Sequence, residues 1–473
     1  MNLNPRRNLF YRKQGPNIYR LFFLIVMILG GVWLIRKVDQ GDVKPLFLPT
    51  PTPTRFADSY AMEGEAQFTA GDMDAAIVAY QEAVRVDPNN AEVWAKLARI
   101  QTYSSALLTT DDAQRTRLAE ALESAEKAVE LAPDDSFAHA IYAFVLDWNA
   151  NPILVDEDQV QRYLLQAEQE ANRALLLDST NTLALAFYAE ILVDQQKWTQ
   201  AEINITQALE RDPTLMDVHR VYAYVLESFG QYNQAIQEYD TAISITPNLT
   251  FLHLRAGANY RRLAFASPNE ETATQLYEKS LEYFAQAASI NEQLGVEDPI
   301  PYLSISKTYS QMGEFFIAAR NVQRALEFQP DNADVYGQLG IIYFKSRNYE
   351  GSIPALKCAI RGCTPEESCD GRGGCGPNDT PAEVTGLALS PSTVVYYYTY
   401  GSVLAALSRP QDNKCPEAVE VLTEVKVAFG SDPDIAGIIS AGEAICSSLG
   451  DTASSIPTAV PEVMSDTDAT PSP

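Results

Sequence analysis

Histidine is nearly missing from this chain, with three in 473 residues. So few leave no Ser/His/Asp or Cys/His constellation unless one of them is spare, and each has a structural explanation given below. No glycine-rich phosphate loop of the form G-x-x-x-x-G-K-[ST] occurs. The run DGRGGCG at 370–376 is glycine-rich but follows no strand pattern. Positive charge is also scarce: 35 Lys and Arg stand against 62 Asp and Glu, a net of −27. An excess that acidic argues against nucleic acid or an anionic membrane surface as a partner. Cysteine is absent from the first 357 residues. These absences point away from an enzyme, a cofactor or a metal centre.

What is present is a repeat. Ala83, Ala128, Ala174, Ala208, Ala242, Ala287, Ala325 and Ala359 return on a period of 34, stretched in places. Pro88, Pro133, Pro213, Pro247 and Pro330 each follow such an alanine by five residues. Residues 182–214 form a clean unit. Leu185, Tyr188 and Leu192 have helical spacing, Ala201, Ile205 and Ala208 do so again, and Pro213 closes it. Each unit is thus expected to be an antiparallel hairpin of two helices, and fixed-period self-similarity implies an array of them.

The units resemble the tetratricopeptide repeat, with its signature W-x2-L-G-x2-Y…A-x3-F…P. Tyr60, Gly64, Ala76, Tyr80, Ala83 and Pro88 carry it in the first unit, and Trp94, Leu97 and Ala98 open the second. The resemblance spans residues 57–450: eight good units, then a degenerate ninth around Tyr397, Tyr400, Gly401 and Leu404. It implies an all-α, right-handed superhelical solenoid of about nine helix-turn-helix hairpins with a C-terminal capping helix. His139, His219 and His253 fall at the fourth position, where the signature has Trp, and should be semi-buried packing residues.

The resemblance also implies a concave groove lined by first helices. Its second, fifth, ninth and twelfth positions give Phe137, Ala140, Phe144 and Asp147, then Leu183, Ala186, Glu190 and Val193. The next two units give Asp217, Arg220, Tyr224 and Glu227, then Phe251, Leu254, Ala258 and Arg261. An exposed apolar stripe would suit a protein or peptide ligand; long inserts or the next superhelical turn would instead cover it. The carboxylate clamp of one subtype is not expected, because the sixth positions Phe187, Val221, Arg255 and Ser304 include no Asn. Three inserts, near Thr102–Ala113, Asp147–Asp158 and Arg261–Thr272, fall between the two helices of their units, all on one edge. Each would lengthen its hairpin or project as a loop.

The ends differ from the array. Residues 1–56 hold nine Lys and Arg and two Asp and Glu, so residues 57–473 carry −34. A basic tail (1–20) precedes an apolar run, LFFLIVMILGGVWLI (21–35). Extended to residue 38 with snorkelling Arg20, Arg36 and Lys37, it is expected to be a single transmembrane anchor. A cleaved signal peptide competes, but no small-x-small site follows the run. A Pro/Thr-rich linker (39–56) and an acidic Ser/Thr/Pro-rich tail (451–473), expected to be disordered, complete the chain.

Cys358, Cys363, Cys369, Cys375, Cys415 and Cys446 form an even, clustered set. With an export-type N-terminus they point to disulfides and to a repeat domain on the extracytoplasmic side. Free thiols and metal remain alternatives, though the spacings are not the C-x2-C pairs of zinc sites. Helices expected at 416–429 and 435–449 would, as antiparallel neighbours, bring Cys415 to Cys446. The segment 362–392 is expected to be a loop, and the pairing of its cysteines and Cys358 stays open. The expectation is a membrane-anchored scaffold that binds proteins. The alternative is an envelope subunit binding glycans or lipid-linked precursors through its aromatics, Tyr396–Tyr398 included.

Overall fold

The computed structural model describes residues 17–39, 55–376 and 379–453. Most of the expected basic tail, the Pro/Thr linker and the acidic tail lies outside the described residues. Twenty-one helices and no strand occur among those described. The chain divides into two units, residues 1–55 and 56–473.

The first unit contains α1 (Ile18–Asp39). The expected helix is there, but the membrane anchor is overturned: among the described residues no helix is long and apolar enough to cross a membrane. The physical reason is length. The uninterrupted apolar run lies between Arg20 and Arg36, and fifteen residues rise only about 22 Å against a hydrocarbon core of ~30 Å. The single-pass localisation and the outward orientation that depended on it fall with the anchor.

The second unit is a row of nine hairpins. They are α2 (Ala57–Ala70) with α3 (Met73–Val86), α4 (Ala91–Ser105) with α5 (Asp111–Leu131), and α6 (Ser136–Asn149) with α7 (Glu157–Leu177). Next come α8 (Thr182–Asp194) with α9 (Trp198–Arg211), α10 (Met216–Ser228) with α11 (Tyr232–Ile245), and α12 (Thr250–Ala266) with α13 (Glu270–Leu294). The last are α14 (Ile300–Gln311) with α15 (Phe315–Phe328), α16 (Ala333–Lys345) with α17 (Tyr349–Arg361), and α19 (Val394–Leu407) with α20 (Cys415–Phe429). Helix α21 (Pro433–Ala453) packs on α19 and α20 and ends the row. The short α18 (Pro365–Gly371) lies inside the cysteine segment, which was expected to be loop throughout. Its cause is local: Thr364 and Glu367 form a reciprocal capping box, with Pro365 pre-set for the first turn.

The periodic alanines explain the hairpins. Ala201 and Ala208 are fully buried around Ile205, and the same holds for Ala235 and Ala242 around Tyr239. With only a methyl at those points the paired helices close up, and the larger residue fills the space between. Helix starts are fixed by side chains: Asp135, Asn181 and Asn332, among others, accept the backbone N–H three residues on. Each such cap contributes about 1 kcal/mol.

Successive units are joined by a bond that the sequence encodes. Wherever Pro closes a repeat, the residue six positions on is a side-chain donor to its carbonyl. Trp94 Nε1 donates to Pro88 (3.0 Å), and His139, His219 and His253 bond through Nε2 to Pro133, Pro213 and Pro247 (2.9 Å each). Tyr336 does the same to Pro330 at 3.2 Å. A carbonyl at a helix end needs such a partner, since Pro stops the ladder that would otherwise supply one. The histidines, expected to be semi-buried, are buried links between repeats.

The inserts resolve mainly into longer second helices. α5 and α7 have 21 residues and α13 has 25, against 14 in α9 and α11. The remaining insert residues form the turns before them and the ends of the first helices, α12 alone reaching 17 residues.

All six cysteines are bridged: Cys358–Cys363, Cys369–Cys375 and Cys415–Cys446, with S–S distances of 2.08, 1.99 and 2.09 Å. The last ties the start of α20 to α21. Two apolar cores run along the unit, one from α2 to α12 and one from α14 to α21.

Candidate binding site inside the superhelix

The superhelix turns tightly enough for first helices far apart in sequence to touch. Tyr103 of α4 stacks on Phe251 of α12 with ring centroids 5.0 Å apart, and on its other side packs against Phe144 of α6 at 5.2 Å. Arg99 of α4 reaches Asp217 of α10 with two bonds, 3.1 and 2.5 Å, and the Tyr103 hydroxyl also donates to Asp217. Arg220 of α10 makes two parallel bonds to Glu190 of α8, 2.8 and 2.5 Å, and its Nε donates to the Tyr103 hydroxyl at 3.1 Å. Trp148 of α6 adds an Nε1 bond to Glu190 at 3.2 Å. Burial by itself would push the Asp217 carboxyl up; Arg99 and the Tyr103 hydroxyl hold it below the usual carboxylate range instead.

The exposed stripe expected on the concave face is therefore largely interior. Phe144, Glu190, Arg220 and Phe251 are buried; Phe137, Leu183, Tyr224, Leu254 and Arg261 are half-buried. The reason is closure: the next turn of the superhelix covers residues that a flatter array would leave open. Phe144 stacks on Phe187 at 4.5 Å rather than facing solvent. Arg261 lies over Phe284, 5.3 Å from its centroid, and burial beside Arg262 lowers it to about 10. Tyr396 and Tyr397, the aromatics considered for sugar stacking, are buried and bonded to Asp334 and the Leu387 carbonyl.

One part of the interior stays open, a cavity of about 710 Å³. Of the stripe residues expected to bind, Glu190, Arg220, Tyr224, Phe251 and Leu254 line it, while Phe137, Phe144, Leu183 and Arg261 do not. The first two inserts supply much of its wall: Ala106 and Leu107 from one, Ala150, Asn151 and Pro152 from the other, with Glu157, Val160, Gln161 and Leu164 on the added turns of α7. Trp148, Asp194, Tyr239 and Arg255 complete the polar and aromatic lining. Trp148 and Asp194 fall outside the four stripe positions. Only the insert beside Trp148 signals in sequence that this edge is unusual.

Charge in the cavity is unbalanced. Glu190 has both oxygens taken up by Arg220. Arg255 is engaged by Glu227 at 3.1 Å and by the Tyr239 hydroxyl at 3.3 Å. Asp194 accepts only the Tyr224 hydroxyl, at 2.5 Å. Burial raises Asp194 to about 6, with Glu190 adding to the rise and Tyr224 and Arg255 opposing it. Asp147 is 4% exposed, and its Oδ1 has no hydrogen-bond partner. Burial, then the charges of Asp194 and Glu190, push its carboxyl well above the ordinary range, and Arg220 offsets only part.

Sequence comparison bears on this architecture. Residues 64–102 match the family described as TPR repeat, and residues 188–249 match Tetratricopeptide repeat. No curated protein sequence matches the chain. Among solved structures, the fold is similar to that of the human IFIT1 dimer with PPP-AAAA. That match has 15% identity and a TM-score of 0.50, over 84% of this chain and 92% of that one. A thermophilic TPR protein of Thermus thermophilus matches at 18% identity and a TM-score of 0.35, over 43% of this chain and 98% of its own. At these identities the likeness concerns the fold alone. Residues 64–102 and 188–249 thus match tetratricopeptide repeats, a repeat that generally serves protein–protein interaction.

Proposed function

We propose that this scaffold holds a segment of a partner protein in the interior cavity, rather than across an open groove. The observation that supports this most is the cavity itself. At about 710 Å³ it is large enough for several side chains, and its walls combine aromatic and aliphatic surface with a few polar groups. The inserts that build its wall depart from the repeat where the repeat alone would leave a plain turn. A polyanionic ligand fits poorly, because Asp147, Asp194 and Glu157 on the lining would repel it.

Selection of short peptides from a displayed random library, on the full chain and on Leu254→Trp, tests the proposal. The bulkier side chain fills the cavity from α12. Peptides that bind the natural chain should lose at least about tenfold on the variant, with its helical content unchanged. Equal binding to both would move the site elsewhere on the solenoid.

A further inference from the structure

Asp147 is the one group on the cavity wall that the fold leaves without a partner and also places among like charges. A buried carboxylate in that position is unfavourable for folding, and an isosteric amide would relieve it. The residues around it do not supply the missing cation. Arg220 is occupied on both sides, by Glu190 and Tyr103. Arg255 faces Glu227 and Tyr239. Among the described residues no group of His, Cys, Asp or Glu is arranged to hold a metal ion. What the wall lacks is one mobile positive charge, with room beside it for the apolar stem that carries it.

We propose that the cavity recognises a basic side chain, lysine or arginine, of the bound segment, its charged head beside Asp147 and Asp194 and its stem against Trp148 and Leu254. The inference rests on the reading of the cavity as a protein-binding site. Asp194 has one oxygen engaged by Tyr224, leaving the other for the ligand, and Asp147 is unengaged at Oδ1. Trp148 and Leu254 line the same cavity and offer apolar surface to the stem, the Trp148 ring already carrying Arg220 at 6.0 Å. Without ligand, protonation relieves the clash between Asp147 and Asp194. With a cation present both carboxyls ionise, so binding should expel protons and strengthen as pH rises through about 6. The charged and titratable groups facing this point are Asp147 on α6, Glu157 on α7, Glu190 and Asp194 on α8, Arg220 and Tyr224 on α10, Tyr239 on α11, and Arg255 on α12.

An array of short peptides, each made with Lys, Arg, norleucine or Glu at one central position, would be probed with the full chain, Asp147→Asn and Asp194→Asn. Peptides with Lys or Arg should exceed their norleucine counterparts by about tenfold or more, and both variants should erase that preference. Calorimetry of the best basic peptide in two buffers of different ionisation heat should show proton release. If norleucine peptides bind as well as basic ones, the cation is not read, and protein binding stands without it. If no peptide of any kind binds, the protein-binding reading fails and this inference with it. Thermal unfolding separates loss of recognition from loss of fold. Asp147→Asn should unfold at or above the natural temperature near neutral pH, and Asp194→Asn provides the same readout should the first variant misfold.

Discussion

His139, His219 and His253 show how one residue type at one repeat position takes different charge. Each bonds a proline carbonyl through Nε2. His139 and His219 also meet a carboxylate at Nδ1, Glu170 at 2.5 Å and Glu238 at 2.7 Å. Both ring nitrogens then face acceptors, so the doubly protonated ring is favoured, and the bonds to Glu170 and Glu238 raise both histidines above the ordinary value. His253 has no partner at Nδ1, and burial lowers it. The signs follow. The two paired histidines contribute stability that is full below their unfolded value of 6.5 and fades as pH rises through their higher folded values. His253 works the other way, its neutral ring losing stability as pH falls below 6.5. Proton NMR titration should place His139 and His219 above that value and His253 below it, and Glu170→Gln should bring His139 down without moving His219. The link between Pro and fourth-position donor was legible in sequence as a six-residue spacing. The charge on each ring was not, because it depends on which carboxylate a neighbouring helix presents.

In five of the nine hairpins, the turn between helices places one residue in the left-handed region. Gly71, Gly230 and Gly313 occupy it, but Gln196 and Arg347 do so at φ 60° and 63°. A side chain there costs about 1 kcal/mol. Arg347→Gly should accordingly raise the unfolding temperature, by a gain of about 1 kcal/mol measured in denaturant. Gly71→Ala should do the reverse and more, since a Cβ at Gly71 would stand 2.1 Å from the Asn248 carbonyl oxygen. At the other end of the array, the Cys415–Cys446 bridge closes a loop with a sequence separation of 31. Its removal in a Cys415→Ser, Cys446→Ser variant should lose about 3–4 kcal/mol of local stability. Because the apolar core is interrupted before α14, that loss should stay in the C-terminal part of the array. Hydrogen exchange should show α20 and α21 opening first, with α8 to α11 protected as before; uniform loss along the array would contradict this. Helix pairing around periodic alanines was readable residue by residue. The seven-residue α18 was not, since its capping box lies in a segment whose glycines and prolines mask it.

At the scale of the molecule, the closed superhelix depends on contacts that no single repeat contains. Asp217 is the central one, holding Arg99 and Tyr103 across more than a hundred residues of chain. Asp217→Asn would leave the Arg99 guanidinium buried without its counter-charge, a loss of about 3–5 kcal/mol. Tyr103→Phe, which removes only the hydroxyl and keeps the ring on Phe251, should cost about 1 kcal/mol. X-ray scattering should report a larger radius of gyration for Asp217→Asn and an unchanged one for Tyr103→Phe. If both stay compact, closure is maintained by the outer contacts, such as Asn332 to Thr109 and Ser392 to Asp111, each 2.6 Å.

By itself the sequence determined the repeating unit, its helices, the small residues at which they meet and the alternation of Pro with a donor. All of these arise from interactions within a unit or with its neighbour, so spacing along the chain reports them. How far the array curls was decided only in tertiary structure. Curl accumulates from small rotations between hairpins and is fixed by partners such as Arg99 with Asp217, whose separation carries no period. That curl turned an expected open stripe into an interior, left Asp147 facing a cavity without a counter-charge, and made two inserts into walls. The apolar helix near the N-terminus shows the limit in the other direction. Composition there pointed to a membrane span, and the distance between its flanking arginines overruled it, because a span is set by length as well as by hydropathy.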